Sequence, residues 1–186
     1  MVPIPSGKEY SFSYDLMFEN GWEWVRGGKL PGLAATVHDS GCSQSPGTDK
    51  WSARIMWRAD ADNETYVYRQ GRAPGVCGDR TASNRKFVVG SYQAVTVYVK
   101  VNSTASTSDG IVRLYINGAL AAEQSGVKFR AVGTTASEVS NIMFSTFFGG
   151  TNKAGDATWS PSKTVYARFD NLVVTPGLRV RAAPGM

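Results

Sequence analysis

Residues 51–71 read WSARIMWRADADNETYVYRQG, and their alternation decides the fold. In an extended chain successive side chains point to opposite faces. Ala53, Ile55 and Trp57 then share a core-facing side, while Ser52, Arg54, Met56 and Arg58 share the other. ETYVYRQ (64–70) repeats the pattern, with Tyr66, Tyr68 and Gln70 opposite Val67. ADADN between them is a turn-forming cluster, so the two runs form an antiparallel hairpin. Centring that turn on Ala61 sets Arg54 across from Tyr68 and Met56 across from Tyr66, and directly paired residues face the same way. A solvated sheet face would satisfy this pattern. So would a face built to grip something acidic, because its groups are a hydroxyl, guanidinium groups and phenols.

The same signal recurs along the chain. EYSFSYDLMF (9–18) sets Tyr10, Phe12, Tyr14 and Leu16 against Ser11, Ser13 and Asp15. YQAVTVYVKV (92–101) is a further strand. IVRLYINGALAAEQ (111–124) is a hairpin turning at Asn117-Gly118. NIMFSTFFGG (141–150) is an apolar strand ending in glycines, and TVYARFDNLVVTP (164–176) closes the series at Pro176. Residues 27–50, 71–85 and 149–163 read as loops, and no helix or internal repeat is evident. The fold expected is all-β, an antiparallel β-sandwich of jelly-roll type with one concave face able to hold an extended chain. A length of 186 residues suits one domain, over 1–176, with 177–186 as a C-terminal tail.

A net charge of +5 favours anionic partners in general, although such a charge also serves solubility. The basic residues are scattered and no nucleic-acid reader motif is present, so nucleic acid is not an expected partner. No run of 18 apolar residues exists, so no membrane span is expected. The opening MVPIPSGKEY lacks the charged and apolar regions of a signal peptide; either the chain is not secreted by that route, or a leader was removed and Met1 added. Cys42 and Cys77 lie in glycine-rich loops and suit either one disulfide or two free thiols, and no zinc pattern accompanies them. DADNE (60–64) offers alternating carboxylates but lacks the glycine and distal glutamate of a calcium loop, so no metal site is assigned and a structural calcium stays open.

Upstream of the hairpin, GGKLPGL (27–33) holds Lys29 between a glycine pair and Leu-Pro-Gly. Glycine permits close backbone approach and Pro31 stiffens the turn, so Lys29 is either an active ammonium or a surface lysine. GGKLPGL, then GCS, WSARIMWR and TYVYRQG, resembles polysaccharide lyase family 14, the alginate and glucuronan lyases of chlorella viruses and molluscs, and is similar to the fungal glucuronan lyases of family 20. FFGG near 147 and WSPSK near 159 match later segments of that family. AATVHDSG and the loop from Gly71 to Lys86 depart from it, which bears on substrate choice.

The resemblance implies a concanavalin-like jelly roll whose catalytic residues are Lys29, Ser52, Arg54, Tyr66 and Tyr68. It implies cleavage of 4-linked polyuronate by β-elimination, leaving a 4,5-unsaturated uronate end. Arg54 would neutralise the C6 carboxylate. Tyr66 and Tyr68, with pKa values lowered by Arg54 and Lys29, are candidates for base and acid, and Lys29 is the alternative base. His38, Arg58, Gln70, Arg72, Phe147 and Trp159 are candidate substrate-binding residues, and Arg69, Arg72, Arg80, Arg85 and Lys86 form a basic stretch able to line the cleft. An acidic polysaccharide is the expected partner of a monomer, without a cofactor, in a secreted, extracellular or virus-associated setting. A non-catalytic carbohydrate-binding module on the same scaffold is the competing reading.

Overall fold

A computed structural model describes residues 1–149 and 157–185 of the chain. Twelve strands follow one another: β1 Val2–Gly7, β2 Glu9–Phe18, β3 Gly27–Ala34, β4 Ser52–Arg58, β5 Asn63–Tyr68, β6 Asp79–Ala82, β7 Gln93–Lys100, β8 Gly110–Ile116, β9 Ala119–Val127, β10 Val139–Met143, β11 Phe147–Phe148 and β12 Ala167–Pro176. They form two antiparallel sheets. One runs β1-β10-β3-β4-β5-β6, with β11 also paired to β3; the other runs β12-β2-β7-β8-β9. The helical content among the described residues is three short 3-10 turns, so the chain is the antiparallel sandwich its alternation predicts.

The inward faces supply the core. Phe12, Tyr14 and Leu16 of β2, Val95 and Val97 of β7 and Leu114 of β8 meet Leu30, Leu33, Ile55 and Trp57 of the opposite sheet. Truncating a fully buried aromatic such as Trp57 to Ala would cost roughly 3–5 kcal/mol. At one end Phe18, Trp22, Trp57 and Phe148 cluster, with Phe148 stacked on Trp22 at 4.9 Å between centroids. That stack roots β11 in the core, and its neighbour Phe147 emerges on the outer side, half exposed.

Strands β1, β3 and β6 depart from the expectation. GGKLPGLA is a fully buried central strand, not a loop. Its glycines and proline mimic turn punctuation, yet each has a packing reason. A Cβ on Gly28 would sit 2.1 Å from the Trp57 ring, and one on Gly32 would sit 2.0 Å from the Ala53 carbonyl. Pro31 lies where β10 has ended at Gly32 and β11 has begun at Lys29, so its missing N–H costs no ladder bond on that side. A one-residue bulge between Leu30 and Leu33 points both leucines inward. The apolar run 141–150 is likewise not one strand but β10 and β11 on either side of this gap. Gly150, and residues 150–156 of the expected 149–163 loop, lie outside the described residues.

The β4–β5 register also differs from the expected one. Trp57 pairs with Asn63, Arg54 with Tyr66 and Ser52 with Tyr68, a shift of two residues. The turn is a tight 3-10 turn with Asp60 and Ala61 at positive φ, closed by Arg58 N–H donating to Asp62 O at 2.7 Å. It therefore centres on Asp60. An even shift leaves every side chain on its expected face.

Past Pro176 the chain lies along β2 and β7. Ser11 accepts from Arg179 N–H, Thr96 from Arg181 N–H, and the Arg181 guanidinium pairs with Asp15 at 2.6 Å.

Candidate active site

The outer face of β3, β4 and β5 carries a cleft formed by two hollows that meet at Lys29 and Tyr66. The first, about 440 Å³, is lined by Arg54, Tyr68, Phe147, Met143 and the loop at Ser40–Cys42. The second, about 450 Å³, is lined by Arg26, Arg58, Arg80, Trp159 and Cys77.

Cross-strand register puts the main groups together. Lys29 pairs with Met56 across β3–β4, and Arg54 with Tyr66 across β4–β5. The Lys29 ammonium lies 3.8 Å above the Tyr66 ring centroid, and its Nζ donates to the Met56 thioether at 2.7 Å. A thioether is a weak acceptor, so the charge is poorly compensated. Lys29 is only 5% exposed. Burial, followed by the positive field of Arg54 and Arg58, brings its pKa down from 10.5 to about 7.

Arg54 is 3% exposed and lines the cleft. Its Nε has no hydrogen-bond partner among the described residues, and none of their carboxylates forms an ion pair with it. Burial presses its pKa down, opposed by the phenols of Tyr68 and Tyr66. A buried guanidinium without a counter-ion is costly to keep, which marks a place for an anionic ligand. Tyr66 and Tyr68 meet edge to face at 5.6 Å. Tyr68 accepts a hydrogen bond from Cys42 N–H at 3.2 Å and lies beneath the Arg72 guanidinium at 4.6 Å. Burial, with Tyr68 adding to it, raises the Tyr66 pKa. The expected lowering of Tyr66 by its cationic neighbours does not occur, because desolvation of the phenolate outweighs their field.

The remaining candidates separate. Ser52 is fully buried beneath the 36–50 loop, its hydroxyl donating to Asp39 O at 2.8 Å, and it does not line the cleft. Gln70 lies beyond the end of β5, where its backbone N–H donates to Lys128 O and its side chain reaches Lys50 O at 3.4 Å. Arg72 braces the loop, donating to Ser43 O and Arg69 O and lying 3.8 Å from Asp39. His38 is half-buried with Nδ1 unpartnered among the described residues, and burial, then Arg54, lowers its pKa. Phe147 and Trp159 flank opposite hollows. Arg58 lines the second hollow while paired with Glu64 at 2.5 Å.

The basic stretch is not one patch. Arg69 pairs with Asp79, and Lys86 with Asp62 at the β4–β5 turn; Arg80 alone of the five lines the cleft. Asp62 is thus committed to Lys86, and no three metal-ligating side chains converge among the described residues. Cys42 and Cys77 are bridged, tying the 36–50 loop to the 71–78 loop directly over Tyr66 and Tyr68. Arg26, Met143 and Ser40 join the cleft without any local sequence signal, whereas Gly41 and Cys42 fall in the GCS segment already singled out. Arg80 was within the basic stretch, and its pairing with Tyr66 across β5–β6 puts it on the same face.

The family model of polysaccharide lyase 14 matches residues 4–172, and the chain belongs to that family. Among solved structures it is similar to alginate lyase Aly36B, with TM-score 0.75 and 26% identity over 96% of this chain and 73% of that one. It is similar to the marine PL-14 alginate lyase from Aplysia kurodai, with TM-score 0.75 and 24% identity over 94% and 72%. The alginate lyase vAL-1 from Chlorella virus shares the fold, with TM-score 0.70 and 20% identity over 91% and 72%. Comparison with curated protein sequences gives no match.

Proposed function

We propose that this protein is a polysaccharide lyase that cleaves a 4-linked polyuronate, alginate or glucuronan, by β-elimination. The observation that carries the reading is the cleft's buried guanidinium and amine, Arg54 without a counter-ion among the described residues and Lys29 with a pKa brought down to about 7, beside two phenols. Membership of the lyase family supports it, as does likeness to alginate lyase Aly36B, a mutant of which is known in complex with alginate trisaccharide.

Elimination needs three things: neutralisation of the C6 carboxylate so that H5 becomes acidic, a base for H5, and a proton for the leaving O4. Arg54 forms the fork on the carboxylate and stabilises the enediolate as charge develops there. Lys29, a large fraction neutral at neutral pH, takes H5. Tyr66, kept as a neutral phenol by burial, protonates O4 as the C4–O4 bond breaks. The proton on Lys29 then returns to the Tyr66 phenolate and resets the site. Tyr68, oriented by the Cys42 N–H, completes the wall against which Arg54 holds the sugar acid. Because Arg54 supplies the charge neutralisation, these steps call for no metal ion, and turnover that survives a chelator is expected. The Cys42–Cys77 bridge favours an oxidising, extracellular setting.

The test is ultraviolet absorbance of new unsaturated ends on a panel of purified polyuronates. Growth of that band with wild type, and its loss by orders of magnitude with Lys29→Ala, Arg54→Ala and Tyr66→Phe, is the expected result. Binding without any growth would favour the non-catalytic carbohydrate module. Near-wild-type turnover in all three variants would reject the site.

A further inference from the structure

We infer that Gly78 is a positioning residue for the elimination: its missing side chain leaves the room in which the Tyr66 ring stands against Lys29. The inference rests on the lyase reading and adds to it a residue that has no functional group of its own.

The glycines of the 71–78 loop answer to two different demands. Gly71 and Gly75 have φ of 71° and 78°, where a side chain is strained whatever the space. A Cβ on Gly75 would meet nothing within 4 Å, so that glycine serves a turn. Gly78 lies outside the left-handed region, and backbone handedness does not call for a glycine there. What a side chain would meet at Gly78 is the buried ring of Tyr66. Its Cβ would lie 2.7 Å from Cε1, 2.8 Å from Cζ and 3.1 Å from Cδ1 of that ring. Ordinary contacts begin near 3.4 Å.

The backbone at Gly78 is pinned on both sides. Cys77 before it is bridged to Cys42. Asp79 after it pairs with Val67 across β5–β6 and with the Arg69 guanidinium. An added methyl therefore moves the ring. Strand order sets the direction: β6 flanks β5 on one side, while β4 and then β3 lie on the other, so the ring is driven toward Met56 and Lys29. On that side it already lies 3.8 Å, centroid to Nζ, from the Lys29 ammonium and packs with Met56 and Tyr68. Reaching an ordinary contact displaces the ring edge by about 0.7 Å or more. The displaced edge includes Cζ, which carries the phenol oxygen that protonates O4. A shift near ~1 Å at a reacting group costs roughly a hundredfold in rate. Glycine holds this place because the proton donor, and not the loop, occupies the space.

Kinetics and spectroscopy test this together. With a purified polyuronate, Gly78→Ala lowers kcat roughly 10- to 100-fold while KM stays within about threefold of wild type. Gly75→Ala, the control for strain in the same loop, keeps kcat within about threefold. Added to Tyr66→Phe and assayed at high enzyme concentration, Gly78→Ala costs less than about threefold more, because the proton it misplaces is already gone. In spectra of protein carrying isotope-labelled tyrosine, the Tyr66 ring signal is identified by its absence from Tyr66→Phe. That signal moves in Gly78→Ala and stays in Gly75→Ala. Should Gly78→Ala fail to fold, the same change in a Tyr66→Ala background, where the ring is gone, restores folding; failure there too overturns the inference. An unchanged kcat in Gly78→Ala, a rise confined to KM, or a Tyr66 signal that stays in place overturns it while leaving the lyase reading intact. So does an undiminished loss in the Tyr66→Phe background, which shows Gly78 acting elsewhere than through the phenol. If wild type opens no polyuronate, the lyase reading has failed and the positioning role falls with it, whatever the ring signal shows of the packing.

Discussion

Replacing Lys29 by Met separates what the ammonium does for chemistry from what it costs the fold. In the folded chain the Lys29 pKa falls from 10.5 to about 7 because the amine is buried and faces Arg54 and Arg58. In the unfolded chain it returns to its ordinary value. Between those two pH values the unfolded state binds more protons, so stability rises with pH across that window. Below pH 7 both states are protonated and the folded one bears the whole penalty, on the order of 5 kcal/mol at 1.36 kcal/mol per pH unit. Lys29→Met keeps a similar chain length and removes the charge. The variant should therefore be more stable than wild type at pH 6, by up to about 5 kcal/mol. The advantage should shrink to about 2 kcal/mol at pH 9 and nearly vanish above pH 10. Denaturant unfolding of both proteins at pH 6, 7.5, 9 and 10 reads this directly, since groups common to both cancel in the difference. Turnover should meanwhile fall by roughly two orders of magnitude or more. In wild type, kcat/KM should climb as pH rises through about 7, where the free amine forms. A stability difference independent of pH, or a Met variant less stable at pH 6, would refute the claim that Lys29 is held in a desolvated, cationic surrounding.

Arg54→Lys should lose roughly a hundredfold in kcat/KM on a polyuronate, because an ammonium cannot offer the two-pronged fork; retained activity would remove Arg54 from the carboxylate. Cys42→Ser with Cys77→Ser opens a bridge spanning 35 residues. The double variant should lose about 4 kcal/mol of stability in denaturant unfolding on the loop-entropy account. It should also lose turnover under conditions where it stays folded, because Tyr68 loses its fixed Cys42 donor. Asp49 accepts from the backbone N–H groups of 131–134; against its own burial, which raises it, the N–H groups of Val132, Thr134 and Gly133 and the Thr134 hydroxyl lower its pKa to about 2. A lowered carboxylate pKa stabilises above its unfolded value, and that contribution fades as pH falls toward 2. After screening at this partly exposed site, Asp49→Asn should cost roughly 1 kcal/mol at pH 6 and little near pH 2, as read from unfolding midpoints.

Much of the fold is legible in alternation alone. Strands β2, β4, β5, β7, β8, β9 and β12 fall where period two places them, and Asn117-Gly118 turns its hairpin with both residues at positive φ. Strand β3 escapes that reading because Gly28, Pro31 and Gly32 answer to neighbours far away in the chain: the Trp57 ring, the β10–β11 gap and the Ala53 carbonyl. The same holds for Ser52 and Arg72. Their residue types suit a site, yet a loop folds over one and the other reaches beneath that loop to Ser43 and Asp39.

Face, then, is a local property. The pleat alternates side chains whatever lies around them, so Lys29, Arg54, Tyr66 and Tyr68 were bound to share a surface once their strands paired. Depth, charge state and company are not local. Which cation lacks a counter-ion and which phenol is desolvated depend on loops and strands brought in from elsewhere along the chain. Only packing decides them, because burial and fields act through space and not along the sequence.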